Sequence, residues 1–523
     1  MKKKRLFFVL GLRGFSFFNK IAIRNFPNFI PLKKIKTALI SVFYKDGIDQ
    51  VVRLLKHHGV QIYSTGGTYD YIRNLDPTVK TVESLTTYPS ILGGRVKTLH
   101  PKVFGGILGR TQLESDHAEM TQYGIPAFDL VVVDLYPFEE TVANTNDEGT
   151  IIEKIDIGGI SLIRAGAKNY NDVLIVPSRK HYAELIHLLE TQQGETSLDD
   201  RRRFAGYAFA ESSHYDTAIS HWFTPDTELR YGENPHQKGY FRGNLDALFE
   251  KLHGKDLSYN NLLDLDAGLN LIREFDTPTF AILKHNNPCG IACRPNLKEA
   301  YLAALAGDPV SAFGGVLVCN RAIDMETAEE INKLFVEVLV APGYEPGVLD
   351  VLYSKKNRIV LRLKEDLYLK ETVKTALNGY LVEDRDLHTE HPEDFKVVTE
   401  ATPTQKEIDD MVFANKVVKH SRSNAITLAK NGQLYASGIG QTSRVDALRQ
   451  AIEKAHSFDF DLHGAVLASD AFFPFDDCVK LAHEAGITAI VQPGGSVRDQ
   501  DSIDCCNQLG ISMVFTGYRH FKH

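Results

Sequence analysis

The chain has 523 residues, 24% of them charged, and a formal net charge of -8. That length allows two to four domains with full cores. The negative balance argues against a general nucleic-acid binder, and no run of eighteen apolar residues offers a membrane span. The six cysteines, Cys289, Cys293, Cys319, Cys478, Cys505 and Cys506, form no C-x-x-C pair. They fit free thiols in a reducing, cytoplasmic compartment better than a disulfide framework or a zinc ribbon.

Residues 1–36 carry ten Lys or Arg and no acid, around the apolar run Leu6-Phe7-Phe8-Val9-Leu10. A basic start and an apolar run suit a signal peptide. The run is short, however, and no small-residue cleavage site follows, so an unstructured extension or an upstream-assigned start is preferred. From residue 37 strand and helix alternate. Residues 37–43 read as a strand, and residues 46–58 place Ile48, Val51, Val52 and Leu55 on one helical face. Residues 60–64, 128–133 and 173–176 read as further strands, a rhythm that predicts βαβ units around a parallel sheet.

Thr65-Gly66-Gly67-Thr68 falls at a strand-to-helix joint. Glycines there let backbone approach a ligand and the helix start offers free N–H groups, which suits a phosphate; a plain N-cap by Thr65 accounts for it equally. In the polar stretch Gly93-Gly94-Arg95-Val96-Lys97-Thr98-Leu99-His100-Pro101, Arg95 and Lys97 point the same way on an extended chain. They suit an anion, the alternative being a solvated basic loop. Asp134-Leu135-Tyr136-Pro137-Phe138 ends the strongest strand and puts Tyr136 at the ligand edge of the sheet. Ile155-Asp156-Ile157-Gly158-Gly159 leads into a helix over 161–168 bearing Arg164 and Lys168. Taken singly, Tyr136 reads as packing and Asp156 as a cap.

A long helix over 197–223 stops at Thr224-Pro225-Asp226-Thr227, which divides the chain into domains 37–223 and 224–523. Residues 229–237 are too broken for a core element and read as a linker or a binding loop. The run Phe280-Ala281-Ile282-Leu283 predicts a buried strand of a parallel sheet. Lys284-His285-Asn286-Asn287-Pro288-Cys289-Gly290 then reads as a loop broken by Pro288 and Gly290. It sets a cation, an imidazole and two amides at a strand's carboxyl end, where a neutral imidazole can take a proton; the bland reading is a basic strand end. Beyond it, 296–306 reads as a helix, 315–319 and 336–340 as strands, and 425–430 with 433–437 as a hairpin about Asn431-Gly432. Residues 465–468 and 487–491 read as later strands. Gly438-Ile439-Gly440-Gln441-Thr442-Ser443 lacks the third glycine and the following acid of a dinucleotide loop.

Four segments, 94–101, 135–138, 155–159 and 164–169, resemble in order the inosinate cyclohydrolase domain of the bifunctional AICAR transformylase/IMP cyclohydrolase family, where AICAR is 5-aminoimidazole-4-carboxamide ribonucleotide. Segments 229–237, 284–290, 311–315, 341–344, 423–424, 440–444 and 469–475 resemble the transformylase domain of the same family, so the resemblance runs from about residue 36 to 523. It implies an α/β fold: a methylglyoxal-synthase-like first domain and a second domain of two cytidine-deaminase-like lobes. By the same resemblance, Ser41, Lys45, Thr65, Gly66, Gly67, Thr68, Arg95 and Lys97 line a nucleotide site, and Lys97, Tyr136, Asp156 and Lys168 carry ring closure. Lys284 and His285 are implied to be catalytic, with Asn424 placing the transferred group. Arg230, Tyr231, Glu337, Arg444 and Arg519 are implied to bind AICAR or its phosphate, and Phe472 and Asp477 to face the folate. The implied chemistry is formyl transfer from 10-formyltetrahydrofolate to AICAR, then dehydrative closure to IMP, with no metal, in a homodimer. Asp134 stands where the family usually has Asn, and Glu337 where some members have Asp.

Two rival readings fit the sequence less well. A zinc deaminase needs His-x-Glu and then Pro-Cys-x-x-Cys; here Pro288-Cys289 spaces three residues to Cys293, and His388-Thr389-Glu390 comes after it. A non-catalytic nucleotide-binding protein would be free to lose the Lys284-His285 pair, which is intact.

Overall fold

Leu130-Val131-Val132-Val133 is buried at every residue, as a central strand covered on both faces must be. The computed structural model, which describes residues 32–365 and 368–523, builds a five-stranded parallel sheet around it. The strands are Thr37–Ser41 (β2), Gln61–Ser64 (β3), Lys80–Thr81 (β4), Leu130–Val133 (β5) and Leu174–Val176 (β6), in the order β4-β3-β2-β5-β6. Alternate residues of β2 face opposite layers. Ala38 and Ile40 pack with Ile48, Val52 and Leu55 of the helix Ile48–His57. Leu39 packs with Leu162 and Ile163 of the helix Gly158–Lys168. From β2 the chain winds outward one way through β3 and β4; from β5 it winds the other way to β6. The switch point therefore lies between β2 and β5, where such sheets bind ligands.

The predicted extension falls outside the described residues as far as residue 31, and its end is corrected. Lys33–Lys34 (β1) is a strand paired antiparallel with Glu195–Thr196 (β7). Lys33 Nζ lies 3.0 Å from Asp172 and 3.4 Å from Asp129, and the N–H groups of Lys36 and Thr37 donate to Asp129. These acids lie some ninety residues or more downstream, so no local pattern announces that the basic stretch is pinned. The long helix Leu198–Phe223 opens on a reciprocal Ser197/Asp200 capping box, and the chain divides into two units between Pro225 and Asp226.

The second unit begins with a short antiparallel pair, Thr227–Glu228 (β8) and Tyr240–Phe241 (β9). Then one pattern of elements occurs twice. The first pass is Phe249–His253 (β10), helix Tyr259–Ile272, Thr279–Lys284 (β11), Asn287–Cys293 (β12), helix Leu297–Gly307, Val316–Cys319 (β13), helix Met325–Asn332, Val338–Ala341 (β14), helix Val348–Tyr353 and Ile359–Leu363 (β15). An exposed hairpin, Glu371–Ala376 (β16) and Gly379–Asp384 (β17), intervenes. The second pass is Lys396–Val397 (β18), helix Gln405–Lys419, Ile426–Lys430 (β19), Gln433–Gly438 (β20), helix Arg444–Ser457, Val466–Ser469 (β21), helix Asp477–Glu484, Ala489–Gln492 (β22), helix Asp499–Leu509 and Ser512–Phe515 (β23).

The two passes form one twelve-stranded sheet, ordered β10-β15-β14-β13-β11-β12-β20-β19-β21-β22-β23-β18. The order mirrors itself about the β12/β20 pair, and so do the senses of pairing. Even the irregularity repeats. In the first hairpin Leu283 pairs with Pro288 and Ile282 with Gly290, leaving Cys289 as an extra residue. In the second, Ala429 pairs with Leu434 and Leu428 with Ala436, leaving Tyr435.

This geometry corrects the reading of the Lys284 stretch. β11 is antiparallel to both neighbours, and Pro288 to Gly290 belong to a strand. The turn is His285-Asn286 alone, with φ of +51° and +66°. Two positive φ values are what a two-residue hairpin of type I′ requires, and Asn431-Gly432 satisfies the same need at +55° and +62°. Pro288 is tolerated because it sits beside the bulge, one of the few places a sheet accepts proline. The apolar run looked parallel because burial on both faces leaves the same mark on either kind of central strand.

Two candidate active sites

In the first unit, the segments that follow β2, β3 and β5 meet at the switch point around a cavity of about 760 Å³. Its wall includes Ser41, Lys45, Thr65, Gly66, Gly67, Thr68, Arg95, Lys97, Tyr136 and Asp156. Thr65 makes no side-chain cap to the helix Gly66–Arg73. Its Oγ1 instead pairs with Ser41 Oγ at 3.2 Å, which leaves the helix start open to an anion. Lys97 folds against the glycines: a side-chain carbon on Gly94 would lie 3.0 Å from its Nζ, and one on Gly66 3.6 Å. Arg95 reaches outward and is engaged by Glu153.

The acid–base groups of this cavity are perturbed. Burial lifts the Asp156 carboxyl against the opposing pull of the Gly159, Tyr136 and Gly158 N–H groups, the first of these at 2.6 Å. Burial and the Asp156 charge lift the Tyr136 phenol, and burial lowers Lys45. Burial also pushes Asp134 up to about 6, although its oxygens accept the N–H groups of Phe43 and Tyr44. A cluster of shifted acids and amines in one cleft is suited to moving protons.

Lys168 is not brought to this wall. The cavity touches Gly158, Gly159 and Leu162 on the first turns of the helix, and Lys168 ends it, about 9 Å beyond Leu162 at 1.5 Å per residue. Sequence reasoning also missed Lys154, whose Nζ stands 5.6 Å from the Phe43 ring and 6.0 Å from the Tyr136 ring. Its position just before the Asp156 motif was its one visible sign.

In the second unit, the His285-Asn286 turn is held from behind. The Asn286 N–H donates to Asp264 at 2.6 Å, and Asn287 Nδ2 donates to the His285 carbonyl at 2.8 Å. Lys284 Nζ donates to the Phe313 carbonyl at 2.5 Å. The same sheet edge carries Glu337, 2.6 Å from Lys255 Nζ and 3.8 Å from Arg230, while Arg230 donates to Tyr231 Oη at 2.9 Å. Lys255 is a further cation that the sequence did not single out. Because β11 is antiparallel, this edge is the carboxyl end of β11 but the amino end of β13 and β14.

Mirroring brings the opposite edge of the second lobe to the same place. The Arg422 N–H donates to Asn287 Oδ1 at 3.0 Å. Asn424 is clamped on both sides, its Nδ2 donating to the Gln441 carbonyl at 3.0 Å and its Oδ1 accepting from Arg444 at 2.9 Å. Arg444 is buried and also bonds Ser469 and Asp470, so its guanidinium serves the frame around Asn424. Phe472 and Arg519 are exposed, and Asp477 opens a helix with its carboxylate accepting the Cys478 N–H. The thiols of the zinc rival are occupied and lifted by burial: Cys289 donates to the Ile282 carbonyl and is pushed up to about 12, and Cys293 pairs with Thr279 Oγ1.

An anion cradle at the switch point of one α/β unit and a Lys-His turn in a second define a two-site enzyme. Comparison with known proteins gives the family. Residues 47–161 match the model of the MGS-like domain, and residues 166–454 match that of the AICARFT/IMPCHase bienzyme. Similar proteins include one from Bacteroides thetaiotaomicron, 58% identical over 94% of this chain and 99% of its own length. Others come from Acetivibrio thermocellus, 46% identical over 94% of this chain and 100% of its own length, and Aquifex aeolicus, 47% over 93% and 100%. Each bears the name bifunctional purine biosynthesis protein PurH. The chain belongs to the AICARFT/IMPCHase bienzyme family.

Proposed function

We propose that this enzyme catalyses the last two steps of IMP synthesis, formyl transfer in the second unit and ring closure in the first. The observation that carries the reading is the coexistence, on a chain that matches purine-synthesis relatives over 94% of its length, of the switch-point cavity and the Lys284-His285 turn.

In formyl transfer, 10-formyltetrahydrofolate is the co-substrate. The AICAR amine is a poor nucleophile because its lone pair is delocalised into the ring and carboxamide, so it must lose a proton as it attacks. His285, exposed at the turn tip, is the general base; Lys284 and Asn424 stabilise the oxyanion and assist N10 in leaving. Arg230, Tyr231, Glu337 and Arg519 bind the nucleotide, with Arg444 acting through Asn424, and Phe472 and Asp477 face the folate. In ring closure the carboxamide nitrogen attacks the formyl carbon of the same molecule, so the site need mainly hold the folded rotamer. Ser41, Lys45, Arg95 and the Thr65–Thr68 cradle hold the nucleotide, Lys97 and Tyr136 meet the developing oxyanion, and Asp156 moves the proton. Lys168, which the family resemblance implies in ring closure, is not among the residues of this cavity wall.

The repeated elements of the second unit support two cytidine-deaminase-like lobes. The β16–β17 hairpin exposes Val373, Leu377, Tyr380, Leu381 and Val382, an apolar surface that supports a homodimer. Free thiols and soluble substrates favour the cytoplasm, and among the described residues no helix is long and apolar enough to cross a membrane.

The test supplies AICAR and 10-formyltetrahydrofolate and follows tetrahydrofolate and IMP separately. Equal yields are expected. Tetrahydrofolate with accumulating formyl-AICAR would restrict the enzyme to one step, and neither product with both ligands bound would make it a regulatory nucleotide-binding protein.

A further inference from the structure

His520 is 3% exposed and both ring nitrogens face carboxylates: Nδ1 lies 2.6 Å from Asp386 Oδ2 and Nε2 2.8 Å from Glu390 Oε1. A neutral imidazole has one N–H and would turn a lone pair on one of these acceptors; only the imidazolium donates to both. The other oxygen of Glu390 accepts Asn415 Nδ2 at 2.9 Å. The His388 ring stands 6.5 Å from His520 and lies tilted against Tyr518 at 3.8 Å. The Lys419 charge acts on Asp386.

The backbone around His520 is tied to the Asn424 frame. The His520 N–H donates to the Asp470 carbonyl at 3.0 Å, and Asp470 is the buried partner of Arg444, which holds Asn424 Oδ1. Two residues on, Lys522 closes a reciprocal pair with Ser423: its N–H donates to Ser423 Oγ at 3.0 Å, and its carbonyl accepts the Ser423 N–H at 2.9 Å. Lys522 Nζ donates to the His420 carbonyl. Segment 516–523 is therefore laced to the residue preceding Asn424, and Arg519 projects from it.

We propose that His520, as an imidazolium pinned between Asp386 and Glu390, is a positioning residue for formyl transfer, holding segment 516–523 so that Asn424 is fixed and Arg519 is presented to the substrate. This rests on the transfer reading of the second unit. The two carboxylates raise the imidazole to about 9 against the opposing effect of burial. Its pKa is higher docked than free, so the docking contribution is whole below the ordinary value near 6.5 and is lost as pH rises through about 9.

The experiment measures amide-exchange protection of segment 516–523, tetrahydrofolate release, and closure of supplied formyl-AICAR, from pH 6 to 10. Wild type, His520→Gln and Asp386→Asn are compared. In wild type, protection and transfer should fall together with a midpoint near pH 9 while closure persists. His520→Gln should lose protection at pH 7.5 and transfer at least tenfold more slowly, with closure unchanged. Asp386→Asn, at the more exposed partner, removes one charge and should move the protection midpoint at least one unit lower, a shift that a purely steric peg would not show. Full transfer by His520→Gln, or an unmoved midpoint in Asp386→Asn, overturns the proposal. A wild type that docks the segment with the expected pH dependence yet transfers no formyl group would instead count against the function assigned to the unit.

Discussion

Asn287 Oδ1 accepts the backbone N–H of Arg422 at 3.0 Å while Asn287 Nδ2 donates to the His285 carbonyl at 2.8 Å. One amide thus ties the reactive turn of the first lobe to the Asn424 segment of the second. Asn287→Ala should cost about 1 kcal/mol of stability for the lost bonds, and more in activity, because the two halves of the site then drift independently. Steady-state assays should show formyl transfer at least tenfold slower with ring closure untouched.

His285→Gln keeps a polar group at the turn but removes the base. Transfer should fall by about 10² to 10⁴, the usual range for a positioned proton acceptor, with AICAR binding retained by calorimetry. Retained kcat would remove His285 from the base role.

Asp134 gives the first unit a pH signature. Its carboxyl sits at about 6, raised by burial. A group raised in the folded state contributes stability at low pH that is lost as pH climbs through the folded value, so this group's contribution declines from about pH 4 to 6. Activity should run the other way, since only the carboxylate accepts the Phe43 and Tyr44 N–H groups on equal terms and so braces the turn that carries Lys45. Ring closure is expected to drop below pH 6, and Asp134→Asn to flatten both profiles between pH 5 and 7. A wild-type closure rate that stays level across pH 6 would contradict this.

Glu153 occupies the Arg95 guanidinium that a nucleotide phosphate would want. Both side chains are exposed, and solvent and salt screen such pairs to a small net worth. Glu153→Gln should therefore lower KM for formyl-AICAR by no more than about fivefold, leaving kcat alone. A raised KM would show that Glu153 assists binding instead of competing.

Gly438 tests the sheet. A side-chain carbon there would lie 1.8 Å from the Ala447 carbonyl oxygen, and both are backbone-fixed. Gly438→Ala should cost about 3 kcal/mol, the upper end of ordinary overpacking, seen as a lower denaturation midpoint.

The buried strands β2, β3, β5, β6, β11, β13, β14 and β19 to β22 were legible because their apolar runs are short and bounded by turn residues, whereas β12 read as a loop and β10, β15, β18 and β23 went unread. Part of the switch-point cavity was legible because the segments bearing Lys45, Thr65–Thr68 and Tyr136 each follow a strand, and a parallel sheet delivers such segments to one edge. Three things were hidden. The His285-Asn286 turn carries no glycine, so its positive φ values leave no mark in composition. Lys168 followed Asp156 closely in sequence, yet a straight helix carried it away from the cavity. The clamp on Asn424 joins residues 17 and 20 positions away, distances over which no periodicity reports.

The mirror order of the twelve-stranded sheet has an ancestral reading. Two identical half-length chains, each with a free strand equivalent to β12 and β20, would associate by pairing those edges about a two-fold axis. Fusing them into one chain frees the copies to diverge. Lys284-His285 and Lys430-Asn431 stand at equivalent turns, and only the first carries an imidazole; the second is a plain bend. In this chain the labour is divided, with one lobe supplying the His285-Asn286 turn and the other the frame around Asn424 that faces it.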